Sequence, residues 1–177
     1  MTETAERLNN QAIVLASDGS FKEAIACFVR ALTIEKDNAI LWYNLGLTYR
    51  DAGDFLRAHD SLKNALKISP ENTEIIEELA LILYNHGFLE EALEYCASGL
   101  SIDSDNFHLW NTKGVILFNK KEYEKASYAF ENAVILNPYY YDALFNLRDA
   151  YKKLNNKIGE QECSIRLREL KKNGEPF

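Results

Sequence analysis

The sequence contains little that would interrupt a helix. Only three of its 177 residues are proline and eight are glycine, and no stretch is rich in either. Proline and glycine are the residues that most strongly break helices and mark loops. Their scarcity excludes a long flexible linker or a disordered tract, so we expect residues 1–177 to form a single helical domain.

Cysteine is also scarce. The three cysteines, Cys27, Cys96 and Cys163, stand nearly 70 residues apart among apolar residues at helical spacing. An odd number of cysteines at such wide spacing does not make a disulfide framework. We interpret them as small core residues of a protein in a reducing compartment. The expected location is the cytoplasm, with the periplasm as the alternative if a leader has been removed.

Long apolar runs are missing as well. The longest extends only from Leu79 to Tyr84, far short of the roughly 20 residues with which a helix crosses a bilayer. The first residues include Glu3 and Glu6 but no basic segment followed by an apolar core, so we expect no secretory signal. The sequence therefore predicts a protein without direct membrane insertion.

Positive charge is absent from one long stretch. The formal net charge is −7, and no lysine or arginine occurs from Ile68 to Thr112, whereas residues 141–177 carry eight basic and six acidic side chains. Nucleic acids need a continuous basic surface, so they are excluded as a main ligand. The asymmetry favours a partner with basic residues, or head-to-tail association of chains. Acidic side chains that only keep the surface soluble are the alternative. The acidic residues of this stretch are Glu71, Glu74, Glu77, Glu78, Glu90, Glu91, Glu94, Asp103 and Asp105.

Catalytic and metal-binding motifs are missing too. The histidines His59, His86 and His108 are isolated, and the chain has no HExxH, GxSxG or glycine-rich phosphate loop. We therefore expect a non-catalytic protein that binds no metal and no cofactor. One hypothesis places His108 near Glu77, which would raise the histidine pKa. A solvent-facing histidine without such a partner is the alternative.

What the sequence does contain is a repeat of 34 residues. Ala24, Ala58, Ala92 and Ala126 are spaced by 34, and glycine and aromatic positions recur in register with them. A fixed period of this length predicts an array of stacked helical repeats. The predicted repeats are 5–38, 39–72, 73–106 and 107–140, followed by a degenerate fifth repeat or capping helices at 141–174.

Each repeat carries the pattern of two short helices. In residues 39–72, apolar residues recur at helical spacing before and after Gly53. Glycine suits a left-handed turn after the first helix, where a Cβ is penalised. Lys121 occupies this position in the fourth repeat, so we expect its turn to be built differently. The small residues Gly46 and Gly114 would let two helices approach closely.

Eight residues of the second repeat form a set at fixed spacing: Trp42, Leu45, Gly46, Tyr49, Gly53, Ala58, Ala65 and Pro70. This set resembles the tetratricopeptide repeat family, and the resemblance covers nearly the whole chain. It implies an all-α fold, a right-handed superhelical solenoid of antiparallel helix pairs. In the fifth repeat Arg148 replaces the small residue and Glu160 replaces the alanine. We interpret this repeat as the cap of the array, with a docking site for a further domain or subunit as the alternative.

The resemblance also implies where a ligand would bind. In this family the first helices of successive repeats line a concave groove, and asparagine at the sixth position, here Asn44 and Asn146, holds a peptide backbone in some members. The family positions, carried over to this sequence, give the predicted peptide-binding residues Tyr43, Asn44, Leu47, Arg50, Glu74, Glu77, Glu78, Leu81, Tyr84, Asn85, His108, Asn111, Thr112, Val115, Phe118, Asn119, Phe145 and Asn146.

One activity of the family is disfavoured by the residue types present. Members that grip the acidic tails of chaperones have lysine, asparagine and arginine at five defined positions. This chain has Asn9, Ile13, Asn44, Glu74 and Glu78 at those positions. Two carboxylates stand where two cations are required, and they would repel an acidic tail.

The sequence as a whole predicts a non-catalytic adaptor or scaffold that binds a peptide segment, basic or neutral polar, in its concave groove. Two other classes remain open. The protein could be a structural module that forms homo-oligomers through its terminal repeats, or an accessory or chaperone subunit of a larger secretion or membrane complex.

Overall fold

The structure, a computed structural model, describes residues 3–173, and this part of the chain forms ten α-helices without a strand. The helices are α1 (Ala5–Ser17), α2 (Phe21–Ile34), α3 (Ala39–Asp51), α4 (Phe55–Ile68), α5 (Thr73–Asn85), α6 (Leu89–Ile102), α7 (Phe107–Asn119), α8 (Tyr123–Leu136), α9 (Tyr141–Lys153) and α10 (Lys157–Asn173). Within the described residues none of these helices is both long and apolar enough to cross a membrane.

The helices follow the period of the sequence. Each odd-numbered helix begins 34 residues after the previous one, and so does each even-numbered helix. Short turns connect them, and the two helices of a pair contact each other, as α3 does with α4 and α7 with α8. The last helix, α10, is 17 residues long, against 14 for α8. Residue 174, the expected end of the fifth repeat, lies outside the described residues.

Polar side chains cap the starts of the first helices. The Asn38 carboxamide oxygen accepts hydrogen bonds from the backbone N–H groups of Ile40 and Leu41, at 3.0 and 3.3 Å. In α7 the equivalent Asn106 accepts one from Leu109 at 3.0 Å. These bonds satisfy N–H groups that have no partner within the helix.

Tryptophan fastens the loop ahead of two of these helices. The Trp42 indole N–H donates to the Lys36 carbonyl at 2.9 Å, and the Trp110 indole N–H donates to the Ser104 carbonyl at 2.8 Å. Both bonds join residues six apart in the chain. The tryptophans therefore fix the loop between repeats as well as filling space beside the helix.

The turns inside the repeats share one backbone conformation. Gly19, Gly53 and Gly87 have φ angles of 78°, 79° and 84°, which confirms the predicted left-handed turn. The expectation of a different turn at Lys121 is wrong, because Lys121 has a φ of 64° and the fifth turn has Asn155 at 57°. The position in the repeat therefore imposes the left-handed conformation even on residues with a Cβ.

Two glycines allow the helices of a pair to approach closely, as expected. A Cβ on Gly46 would lie 2.8 Å from Cγ of Leu62, and a Cβ on Gly114 would lie 2.5 Å from the Phe130 ring. Both distances are shorter than carbon atoms tolerate without rearrangement. Glycine at these positions is therefore a packing requirement.

The described residues belong to two compact units, Met1–Ile82 and Leu83–Phe177, and we describe each by itself. In the N-terminal unit Leu8, Phe28 and Leu41 are at most 2 % exposed. The second unit has a core of its own, formed by residues of α7, α8, α9 and α10. The single continuous domain stays a prediction.

The cysteines lie in these cores, as the sequence indicated. Cys27, Cys96 and Cys163 are all buried and free of disulfides. Burial raises the pKa of the Cys163 thiol to about 11, so this thiol stays protonated near neutral pH. The three residues therefore act as small apolar side chains.

The fifth repeat departs from the others where the sequence does. Gly159, one residue before Glu160, is buried, and a Cβ on it would lie 2.6 Å from the Tyr151 ring. Arg148 lies over the Phe145 ring with its guanidinium carbon 4.3 Å from the ring centroid. The close approach between the helices has thus moved to a neighbouring position.

Candidate peptide-binding surface

The predicted site residues of the N-terminal unit include an acidic group. Glu74, Glu77 and Glu78 on α5 interact electrostatically with Tyr43 on α3, and Nη1 of Arg50 lies 2.6 Å from Oε2 of Glu78. We call these five residues the acidic surface. Arg50 is its one cation, and the same guanidinium also contacts Asp51 through Nε at 2.9 Å. Three carboxylates therefore share the acidic surface with one arginine that is already bound to a further carboxylate.

Two pKa values show the excess of negative charge at the acidic surface. Burial, then the charges of Glu78 and Glu74, raise the pKa of Glu77 to about 7. Burial and the same glutamates raise the pKa of Tyr43 to about 12, so its hydroxyl stays neutral and can donate a hydrogen bond. A cation placed beside Glu77 would favour its ionised form.

The predicted residues of the C-terminal unit surround a pocket of about 360 Å³. Its walls come from α7, α9 and the beginning of α8, with Tyr84 of α5 at one side. The Asn119 carboxamide donates to the Tyr84 hydroxyl at 3.3 Å. Five of the lining residues belong to the predicted set: Tyr84, Val115, Phe118, Asn119 and Asn146.

Sequence reasoning missed the other half of this lining, which consists of Lys121, Tyr123, Phe130, Asp149 and Lys153. Lys121 carried a signal, because it replaces glycine at a turn. The others lie on α8 or at the end of α9, outside the first-helix positions taken over from the family. We call this cavity the α7–α9 pocket.

His108 behaves differently from the hypothesis. Its ring lies against Phe107 and Tyr140, with centroids 4.1 and 5.2 Å apart. Its pKa is lowered, because burial disfavours the charged imidazole more than the nearby Asp142 carboxylate favours it. The expected rise in pKa through Glu77 is therefore wrong, and His108 is neutral near pH 7.

The other predicted residues differ in accessibility. Asn111 is 9 % and Thr112 is 5 % exposed, so both are closed to a ligand in this conformation. Leu47 and Leu81 are half-buried, whereas Asn85 is exposed and Phe145 is partly covered by Arg148. We leave Asn111 and Thr112 out of the proposed binding surface. Among residues 3–173 there is no group of three His, Cys, Asp or Glu side chains placed to hold a metal ion.

Family models match most of the chain. A model described as TPR repeat matches residues 14–53, and two described as tetratricopeptide repeat match residues 49–116 and 107–140. The chain belongs to the tetratricopeptide repeat family. No curated protein matches the sequence.

Solved tetratricopeptide structures share this fold. MamA 41-end from Desulfovibrio magneticus RS-1 has a TM-score of 0.85 at 19 % identity, with 99 % of each chain covered. PilF of Pseudomonas aeruginosa has a TM-score of 0.84 at 15 % identity, covering 98 % of this chain and 78 % of that chain. YrrB, described as a TPR protein with an unusual peptide-binding site, has a TM-score of 0.71 at 21 % identity, covering 94 % of this chain and 86 % of that one. The expected all-α tetratricopeptide fold is confirmed.

The asparagines at the sixth tetratricopeptide position make contacts inside the protein. The Asn44 carboxamide donates to the Asn9 carboxamide oxygen at 3.0 Å, and Asn146 donates to Asn111 at the same distance. Each bond spans 35 residues, one repeat and one position. They join the first helices of neighbouring repeats, and each donor NH₂ group keeps a second hydrogen for a ligand.

Proposed function

We propose that the protein is a non-catalytic tetratricopeptide adaptor that binds a peptide segment carrying basic or neutral polar residues. The family provides the general support, since stacked helical repeats present extended surfaces to partners. YrrB, which shares the fold, is described as having a peptide-binding site. The free, buried cysteines fit a reducing compartment, so the cytoplasm is the proposed location.

The acidic surface carries the proposal for a basic partner. Glu74 and Glu77 have no ion pair with any residue that the structure describes, whereas Glu78 is paired with Arg50. A lysine or arginine of a peptide would find these two carboxylates uncompensated. Because Glu77 is partly buried among like charges, a cation there relieves a repulsion that already exists in the free protein.

Neutral groups beside the carboxylates suit a peptide backbone. The Tyr43 hydroxyl stays protonated, because its pKa is raised to about 12. The Asn44 carboxamide has donor capacity beyond its bond to Asn9. A peptide would therefore be held by its main chain at Tyr43 and Asn44 and by a basic side chain at Glu74 and Glu77.

Binding of charged model peptides tests this proposal. Fluorescence anisotropy would compare an acetylated, amidated peptide containing two lysines with the same peptide containing two glutamines. The variant Glu74→Gln with Glu77→Gln should weaken binding of the lysine peptide about tenfold, since loss of a charge-assisted contact costs roughly 1–3 kcal/mol.

The control removes two negative charges elsewhere. Glu91→Gln with Glu94→Gln changes two exposed glutamates of α6 in the other compact unit. This variant should bind the lysine peptide nearly as well as the unchanged protein. Equal losses in both variants would mean that net charge, and not the acidic surface, attracts the peptide.

Association through the last helix is a second candidate function. Ile158 and Ile165 on α10 are 81 % and 52 % exposed, which is unusual for isoleucine on a capping helix. This exposure supports either homo-oligomers or docking to a larger complex as an accessory subunit. Light scattering over a hundredfold concentration range would reveal self-association, and Ile158→Gln with Ile165→Gln should abolish it. A constant monomer mass leaves only the larger complex.

A further inference from the structure

The α7–α9 pocket combines an apolar interior with a polar rim. Val115, Phe118, Tyr123 and Phe130 form its apolar side, and the Phe118 and Tyr123 rings meet edge to face with centroids 5.2 Å apart. Its volume of about 360 Å³ is at the lower end of the range of about 300–1,000 Å³ that ligand pockets occupy. It has room for one large side chain and the groups next to it.

The charge at the rim is positive. Lys121 and Lys153 line the pocket, and neither makes an ion pair with any residue in the described part of the chain. The one carboxylate of the lining, Asp149, is held by Arg148, whose Nη2 lies 2.8 Å from Oδ1. By contrast Lys120, next to Lys121, contacts Glu90 at 2.6 Å. The charge that remains uncompensated at the pocket is that of two lysines.

The backbone at Lys121 gives independent support for a role. Lys121 has a φ of 64°, at the turn position where the first three repeats have glycine. A residue with a Cβ is strained in this region, and such strain is found disproportionately at functional sites. Here the strained residue is also the one that brings an ammonium group to the pocket.

Two amides lie between the apolar interior and the lysines. The Asn146 NH₂ group donates one hydrogen to Asn111, and the Asn119 NH₂ group donates one to Tyr84. Each therefore has a second hydrogen that can be donated to a peptide carbonyl. The rim thus offers donors of two kinds, and both suit oxygen acceptors.

We propose that the α7–α9 pocket binds a peptide segment in which a large apolar side chain stands next to a carboxylate. The apolar side chain enters between Val115 and Phe118, and the carboxylate lies between Lys121 and Lys153. An aspartate or glutamate side chain and a free chain terminus would supply the same chemistry. This site has the opposite charge preference to the acidic surface, uses other residues and lies in the other compact unit, so it does not depend on the proposed function.

Four short peptides without any basic residue test the proposal by isothermal titration calorimetry on the full chain. The first ends in leucine with a free carboxylate, the second is its amide, the third has leucine followed by aspartate with an amidated end, and the fourth has alanine for leucine in the first. We expect the first or the third to bind at least about tenfold more tightly than the second and the fourth. Whichever of the two binds identifies the source of the carboxylate. Binding of all four alike, or of none, would overturn the proposal.

Single variants assign the binding to the rim. Lys121→Gly and Lys153→Gln should each weaken binding of the preferred peptide severalfold. Lys152→Gln removes the same charge from the neighbouring exposed residue of α9, which does not line the pocket, and should leave binding almost unchanged.

Lys121→Gly also separates binding from folding. The first three repeats have glycine at this turn, so this variant should melt at the same temperature as the unchanged protein or higher. Weaker binding by a protein that is no less stable assigns Lys121 to the ligand. Unchanged binding in both Lys121→Gly and Lys153→Gln would contradict the proposal, whatever the acidic-surface variants show.

Discussion

Individual residues in this protein are constrained most by the backbone at the turn of each repeat. Gly53 and Lys121 have the same left-handed conformation, with φ angles of 79° and 64°. A Cβ on Gly53 would meet no atom within 4 Å, so strain in the backbone is the only penalty there. The two positions therefore allow the cost of a Cβ to be measured in both directions.

We expect Gly53→Ala to lower the free energy of unfolding by about 1 kcal/mol, because an L-residue with a Cβ pays roughly this amount in the left-handed region. Lys121→Gly should raise it by up to about 1 kcal/mol, since strain is relieved while the unfolded chain gains freedom. Urea unfolding monitored by circular dichroism measures both. Opposite signs are required, and a loss of stability in Lys121→Gly would show that its side chain stabilises the fold.

Glu77 makes stability depend on pH. Its pKa is about 7 in the folded protein against an ordinary 4.5, so the folded state resists ionisation that the unfolded state accepts. Its contribution is most favourable below about pH 4.5 and is lost as the pH rises through 7. The full shift corresponds to at most about 3 kcal/mol, because the side chain keeps some contact with solvent.

Glu77→Gln should therefore be more stable than the unchanged protein at pH 8, and this advantage should shrink towards pH 5. Urea unfolding at both pH values measures the difference. Glu91→Gln, on the exposed side of α6, serves as the control and should show no comparable change with pH. An advantage of Glu77→Gln that is the same at pH 5 and pH 8 would contradict a raised pKa.

At the scale of the helices, the sequence predicted most of what the structure contains. The interval between the helix starts equals the interval between Ala24 and Ala58, because each repeat must bury the same face against its neighbours. The glycine turns and the close approach at Gly46 also followed from residue type. These features depend on local geometry and on the period alone.

Contacts between neighbouring repeats could not be predicted in the same way. The bond from Asn44 to Asn9 and the one from Asn146 to Asn111 depend on which of several polar side chains lie opposite each other. The α7–α9 pocket was missed for a related reason, since Phe130 and Lys153 are not first-helix groove positions in the family. A search for polar residues 35 apart would have found the asparagine pairs, but nothing in the sequence marks the pocket as a whole.

Contact between α7 and α8 depends on the size of one residue. Gly114→Ala should lower the free energy of unfolding by about 1–3 kcal/mol, because the added methyl group would lie 2.5 Å from the Phe130 ring. Adding Phe130→Leu should restore part of the loss, since a smaller side chain makes room for the methyl group. Chemical denaturation of the two single variants and the double variant measures this coupling.

The matched case in the other compact unit is Gly46→Ala, whose methyl group would lie 2.8 Å from Cγ of Leu62. An aliphatic side chain adjusts more easily than a ring, so a smaller loss is expected there. Additive effects of Gly114→Ala and Phe130→Leu would mean that the backbone, and not the ring, opposes the methyl group.

For the whole molecule, the decisive property is the uneven distribution of charge. The net charge is −7, and the stretch from Ile68 to Thr112 contains no lysine or arginine. Repulsion among those carboxylates opposes folding at low ionic strength and is screened as salt is added. At about 0.15 M salt the screening length is already about 8 Å, so only neighbouring charges still interact strongly.

We therefore expect the melting temperature to rise between about 0.01 and 0.3 M sodium chloride, a range over which the screening length falls from about 30 Å to below 8 Å. Glu74→Gln with Glu77→Gln should reduce this rise more than Glu91→Gln with Glu94→Gln, because the first pair faces Glu78 across a partly buried surface and the second pair is exposed to solvent. Differential scanning calorimetry measures all three proteins. If both double variants reduce the rise equally, the repulsion is spread over the whole chain, and the acidic surface has no special share in the attraction of a basic partner.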